Sequence, residues 1–298
     1  MRRTLLSLIL FSLVAFACGC ATSSETPPAK IDETPNQAET TQTPPDFAKQ
    51  AEIVADAYLK SLTQGNYDEA QTYIWPYSES FMQYEEGTYT AAIQQQNENL
   101  GRAGEYYNLA LNVIEENYAV FDATIAYTGD DEGDTFLLTI VNASGTPQVS
   151  VNNLLCGFVG MDAAATQGIS AYVSRAGVCV DGYAFDIVVC NKLEEAIALG
   201  QQDGDDAEVQ LTTSVPGTVN DLGMVEGGGP YDTLIGYTQI PAGERATLDI
   251  QLENIIGDIR SLSLMGVLIG DEEILLDVSM PPLAPLAGGL EINNPFTE

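Results

Sequence analysis

The apolar positions between Phe47 and Thr63 are Phe47, Ala51, Val54, Tyr58 and Leu62, and their three- and four-residue spacing lays one stripe along a helix. Gly65 stops that helix. Asn66 is placed to cap a second over Tyr67–Trp75, which Pro76 ends, and a third covers Ala91–Leu100 and closes at Gly101. Beyond it the period changes to two. Leu109, Leu111 and Val113 alternate with smaller or polar residues, and strands are predicted at Val120–Tyr127, Phe136–Val141 and, after the Gly145-Thr146-Pro147 turn, Gln148–Leu154. The acidic stretch Gly129–Asp134 reads as the hairpin loop between two of them.

From Cys156 the chain becomes rich in Gly, Val and Leu. Asp181-Gly182 between Val178–Val180 and Tyr183–Cys190 is a two-residue hairpin signal. Asn191 with Glu194 three residues on predicts a short capped helix over Lys192–Leu199. Strands follow at Glu208–Ser214, Thr233–Ile240, Arg245–Leu252, Ile259–Ile269 and Glu272–Val278, a rhythm that predicts a β-sandwich over residues 157–280. The Pro-rich tail, residues 281–298, is expected to pack loosely or extend away.

The N-terminus is of another kind. Arg2 and Arg3 precede an uncharged apolar run, Leu5–Ala17, which at about 1.5 Å per residue is roughly 20 Å of helix, too short for a hydrocarbon core of about 30 Å. Residues 1–20 therefore read as an export signal. The small residues before its cysteines resemble the lipobox of prokaryotic lipoprotein signals, in which a cysteine is lipidated and becomes the first mature residue. Cys20, after Ala17-Cys18-Gly19, is the favoured site and Cys18 the alternative; a plain secretory signal cleaved near Ala21 is the other reading. Residues 21–46, rich in Ser, Thr, Pro, Gln and Glu, cannot bury enough apolar surface to offset their ordering entropy and are expected to be a disordered tether.

Helices followed by an antiparallel meander form an α+β plan, helices on a curved sheet. With AYLKSLTQGNYDEAQTYI in the opening helices, LGRAG at 100–104 and PQVSVNNL at 147–154, residues 47–156 resemble the NTF2-like, cystatin-like superfamily, in particular its lipoprotein-associated members of unknown function. The resemblance implies a conical cavity between helix and sheet, which Tyr58, Tyr73, Trp75 and Tyr106 would line and to which Asp122 or Asp56 would bring a carboxylate; a Tyr in an amphipathic helix is more often a packing residue with its hydroxyl at the rim, and that is the favoured reading of each. The stretch 235–252 weakly resembles β-rich domains on exported proteins. The expected fold is thus an NTF2-like α+β domain followed by an all-β sandwich-like domain.

Charge and chemistry narrow the function. The 298 residues carry 43 acidic and 10 basic side chains and no histidine, a formal charge of −33. So few cations disfavour binding to nucleic acid, and the lack of imidazole removes Ser-His-Asp and Cys-His catalysis and every imidazole metal site. The acid surplus suits either an ordinary exported surface or one adapted to high salt. Glu85-Glu86 and Glu115-Glu116 are sequence neighbours that point apart and read as solvated charges. The acidic turns Gly129–Asp134 and Asp203–Asp206 concentrate oxygen ligands but lack EF-hand spacing, so no metal and no cofactor is expected. In an oxidising exterior one disulfide is expected among Cys156, Cys179 and Cys190; a hairpin at Asp181-Gly182 holds Cys179 and Cys190 apart and makes Cys156 one partner. The expected role is that of a lipid-anchored binding or interaction module on the outer face of a prokaryotic membrane or envelope, without catalysis, its ligand an unidentified protein or small molecule. The alternatives are a small-molecule carrier or pocket enzyme using Tyr and Asp groups, and carbohydrate binding by the sandwich.

Overall fold

In a computed structural model of the chain the described residues are 44–128, 133–160, 168–201, 204–213, 218–219, 225–226, 231–253, 255, 259–292 and 295–296. The signal, Cys18, Cys20 and the tether as far as residue 43 lie outside them, as do residues 129–132 and 202–203 of the two acidic turns.

Helix α1 runs from Pro44 to Thr63, starting inside the segment expected to be tether. Its buried stripe is Phe47, Ala51, Ala55, Tyr58, Leu59 and Leu62: Ala55 and Leu59 join the expected positions, and Val54 is only half-buried at its margin. Gly65, at a φ of 73°, turns the chain into α2, Tyr67–Gln71. That helix stops short of the expected Trp75 because the next residues find strand partners: Val149 N–H donates to the Tyr73 carbonyl and Trp75 N–H to the Val149 carbonyl. Pro76 then sits at the first turn of α3, Pro76–Phe81, where its missing N–H costs nothing. Helix α4, Tyr89–Leu100, ends on Gly101 in the left-handed conformation.

Four antiparallel strands follow in sequential order: β1 Gly104–Ile114, β2 Tyr118–Tyr127, β3 Asp134–Ala143 and β4 Thr146–Val149. Ala119, Phe121, Ala123, Ile125 and Tyr127 alternate along β2 to face α1 and close one core with Leu138, Ile140 and Val149. The single strand expected over Gln148–Leu154 is broken. A turn at Val151–Asn153, with Asn152 and Asn153 both at positive φ, separates β4 from β5, Leu154–Gly160, which belongs to the second sheet.

That second sheet has eleven strands. Besides β5 it contains β6 Ile169–Cys179, β7 Gly182–Asn191, β8 Ile197–Leu199 and β9 Ala207–Thr213. After a separate two-stranded ribbon of β10 Thr218–Val219 and β11 Val225–Glu226 come β12 Tyr231–Ile235, β13 Thr238–Ile240, β14 Arg245–Glu253, β15 Ile259–Ile269, β16 Glu272–Ser279 and β17 Leu283–Pro285. The β6–β7 hairpin exists, but Val178 pairs with Tyr183, so its loop is Val180-Asp181. No helix forms over Lys192–Leu199. Asn191, fully buried, accepts from Leu193 N–H and donates through Nδ2 to the carbonyls of Glu195, Ile240 and Pro241, which pins an irregular turn and releases Ile197–Leu199 to pair as β8.

The expected fold class is not met. Strand accounts for 52% and helix for 20% of the described residues, so the fold is predominantly β rather than an α+β NTF2-like domain followed by a sandwich. The sandwich fails for a specific reason. Val278 and Ser279 of β16 pair in parallel with Ala171 and Tyr172 of β6, joining what would be two separate sheets into one curled, branched sheet around a single core. The tail is not loose either. β17 pairs with β5, Leu286 N–H donates to the Gly157 carbonyl, Leu290 N–H to the Leu155 carbonyl, and Phe296 is buried against Phe158, Tyr183 and Phe185.

Candidate functional site

The residues expected to line a cavity do not converge on one. Tyr58 and Trp75 are buried side chains. Tyr58 fills the space between α1 and the small sheet with Phe47, Leu59, Phe121 and Ile140, and burial pushes its phenol well above the ordinary range. Trp75 packs on Val141 and Leu155 and lies against Tyr77 with ring centroids 4.7 Å apart. Tyr73 is half-buried at the margin of the α1 core. Tyr106 is exposed, on the sheet face opposite α1. Asp122 shares that face, exposed, and accepts from Asn112 Nδ2 at 3.0 Å. Asp56 lies on the α1 side, where Tyr107 Oη donates to its Oδ1 at 2.6 Å. That bond, first among the causes, holds the Tyr107 phenol up to about 12.

Cys156, Cys179 and Cys190 are free thiols, so the expected disulfide is not formed. In register Cys179 faces Leu154 and Cys156 faces Val178. Cys179 packs under Phe81, whereas Cys156 belongs to the large core with Tyr77 beside it. Burial pushes both thiols up, away from the reactive thiolate. Cys190 stands at the other end of β7, opposite Arg245. Among the described residues no group of three or more His, Cys, Asp or Glu side chains is placed to hold a metal ion. Glu85, Glu86, Glu115 and Glu116 are exposed.

Two charged arrangements were not legible in the sequence. Glu79, 1% exposed, accepts from the N–H groups of Gly87, Thr88 and Tyr89 and from Gln71 Nε2, so its carboxylate closes the N-terminal end of α4. Arg175 Nε pairs with Asp186 Oδ2 at 2.8 Å, while its Nη2 donates to the Phe81 carbonyl and its guanidinium lies 4.6 Å from the Phe81 ring centroid. Desolvation raises Asp186 to about 6; Arg175 pulls against that and Asp249 adds to it. Both arrangements fasten the helical segment: Glu79 to α4, Arg175 to the end of α3.

The most distinctive surface lies along β1. It has 11 residues and pairs with β2 alone among the described strands, so one row of backbone N–H and C=O groups faces outward. Register places Tyr107, Leu109, Leu111 and Ile114 on the α1 side, because their partners Ile125, Ala123, Phe121 and Ala119 lie in the α1 core. A bulge between Leu111 and Val113 turns Val113 to the other face. Leu111, Val113 and Ile114 are 52%, 38% and 40% exposed, too much for residues of a closed core. Helix α1 runs antiparallel to β1, with Thr63 against Gly104 and Asp56 reaching Tyr107, so Ile53, 59% exposed and one turn before Asp56, extends this apolar margin. The signal for it was in the sequence: Tyr106–Ile114 contains no charged residue in a chain that carries 43 acids.

No protein-family model matches the chain, and no curated protein matches it. No helix among the described residues is long and apolar enough to cross a membrane.

Proposed function

We propose that this protein is exported, lipid-anchored through Cys20 at the outer face of a prokaryotic envelope, and acts there as a non-enzymatic module that binds a protein partner. The observation that carries the binding role is the open β1 edge, with exposed Leu111 and Ile114 on its α1 face and exposed Ile53 on the helix packed along that face. Contiguous exposed apolar surface next to unpaired backbone is what a polypeptide partner uses, because association buries the side chains and satisfies the backbone in one step. The address rests on the N-terminal sequence: a short apolar signal, cysteines behind small residues, and a polar stretch before α1.

Two measurements test this. Mass spectrometry of the mature N-terminus is expected to find a diacylglyceryl-modified Cys20; an unmodified Ala21 refutes the anchor. A photoreactive residue at Ala110, on β1, is expected to give adducts of one defined mass on intact cells, while the same residue at Gln239 gives none. No difference between the two positions refutes the binding surface.

A further inference from the structure

An open sheet edge offers a partner a ladder of backbone donors and acceptors together with alternating side chains above and below it. Natural edges are shielded by Lys, Pro, shortness or bulges. From Tyr106 to Ile114 β1 carries no charge and no proline, and its shielding is confined to bulges after Gly104 and after Leu111. Charge is placed at its two ends, Glu105 at the start and Glu115 and Glu116 just past the finish, all exposed. The whole hairpin from Gly104 to Tyr127 holds Glu105, Glu115, Glu116 and Asp122 without one Lys or Arg.

Resting on the binding role proposed above, we infer that the β1 edge takes an extended segment of a cationic polypeptide as an added strand. The segment is about 9–11 residues long at strand rise. It is apolar at alternate positions, facing Leu109, Leu111 and Ile53, and carries Lys or Arg at its ends, facing Glu105 at one and Glu115-Glu116 at the other. A second copy of this chain fits badly. An antiparallel β1–β1 ladder brings Glu105 of each copy towards Glu115 and Glu116 of the other, a parallel one sets like ends together, and each copy adds a formal charge of −33.

The test uses the full mature chain and an 11-residue peptide of alternating Val and Thr with two lysines at each end, read by fluorescence anisotropy and by amide hydrogen exchange. The expected result is slowed exchange across Tyr106–Ile114, and binding that is lost when alternate peptide amides are N-methylated. Leu111→Lys weakens binding about tenfold and Leu111→Ser less, while Leu275→Lys, at an exposed site on β16, leaves it unchanged. A peptide with glutamates in place of the lysines binds at least about tenfold more weakly at low salt.

Equal binding of the two peptides, protection away from β1, or equal losses from Leu111→Lys and Leu275→Lys overturns the inference. So does a β1 already protected in a homodimer. If the Ala110 crosslinker captures its partner on cells while the lysine peptide leaves β1 unprotected, the cationic strand is wrong and the binding surface stands. If both fail, both fall.

Discussion

Asp186 on β7 and Asp249 on β14 stand directly opposite each other across an antiparallel ladder, with Arg175 of β6 opposite Asp186 on its other side. Like charges so placed repel. Burial first, with Asp249 adding to it and Arg175 pulling the other way, raises Asp186 from 3.8 to about 6, so the folded chain holds its proton more tightly than the unfolded chain. Between those values stability rises as pH falls, and at neutral pH the ionised pair costs stability. Asp186→Asn is therefore expected to stabilise the protein by about 1–2 kcal/mol at pH 7–8, allowing for partial exposure, with the gain shrinking as pH falls from about 6 towards about 4. Urea unfolding of both forms across pH checks this, and a pH-independent difference would count against it.

Glu79 makes a different kind of prediction. Its carboxylate accepts three backbone N–H groups, at Gly87, Thr88 and Tyr89. Glu79→Ala takes the acceptor from Gly87 and Tyr89 and leaves Thr88 N–H with the Glu85 carbonyl alone, and is expected to cost about 1–3 kcal/mol; Glu79→Gln, which keeps an acceptor, is expected to cost about half as much. Chemical denaturation measures both, and hydrogen exchange at Tyr89 and Thr90 should show the loss concentrated at the start of α4.

The tail is part of the core. Phe296 meets the rings of Phe158, Tyr183 and Phe185 edge-on at centroid distances of 5.1, 5.8 and 6.3 Å. Phe296→Ala is expected to cost about 3–4 kcal/mol, and ending the chain at Met280 to cost at least as much. Thermal unfolding of the two variants decides the matter; a truncated chain as stable as the parent would place the tail outside the core.

Gly182 is required by its neighbour rather than by its backbone angle. It pairs with Glu253 at the start of β7, and a methyl group there would overlap the carbonyl oxygen of Leu252. Backbone cannot swing aside as a side chain can, so Gly182→Ala is expected to destabilise by about 2–4 kcal/mol and to loosen the β7–β14 pairing. Hydrogen exchange along β14 is the readout, with Gly243→Ala, in open space at a positive φ, as the comparison that strains only a turn.

Much of the element order was legible because it is local. The helical stripe from Phe47 to Leu62 and the strands at Arg245–Leu252, Ile259–Ile269 and Glu272–Val278 follow from side-chain period and turn chemistry, and the structure places each within a few residues. Local rules failed where a distant backbone competed. Tyr73–Trp75 left the predicted helix because Val149 offered hydrogen bonds, and Lys192–Leu199 lost its helix because Asn191 was held by Ile240 and Pro241.

The sequence by itself determined the acidic charge, the absence of imidazole chemistry and the uncharged run along β1, all properties of residue type and nearest neighbours. Only the tertiary structure decided that β16 joins β6 in parallel, that Phe296 closes the core, that Asp186 meets Asp249, and that β1 is left at an edge. Those are pairings between residues tens to more than a hundred positions apart. Period and propensity say which face of a strand is apolar, but not which other strand will cover it.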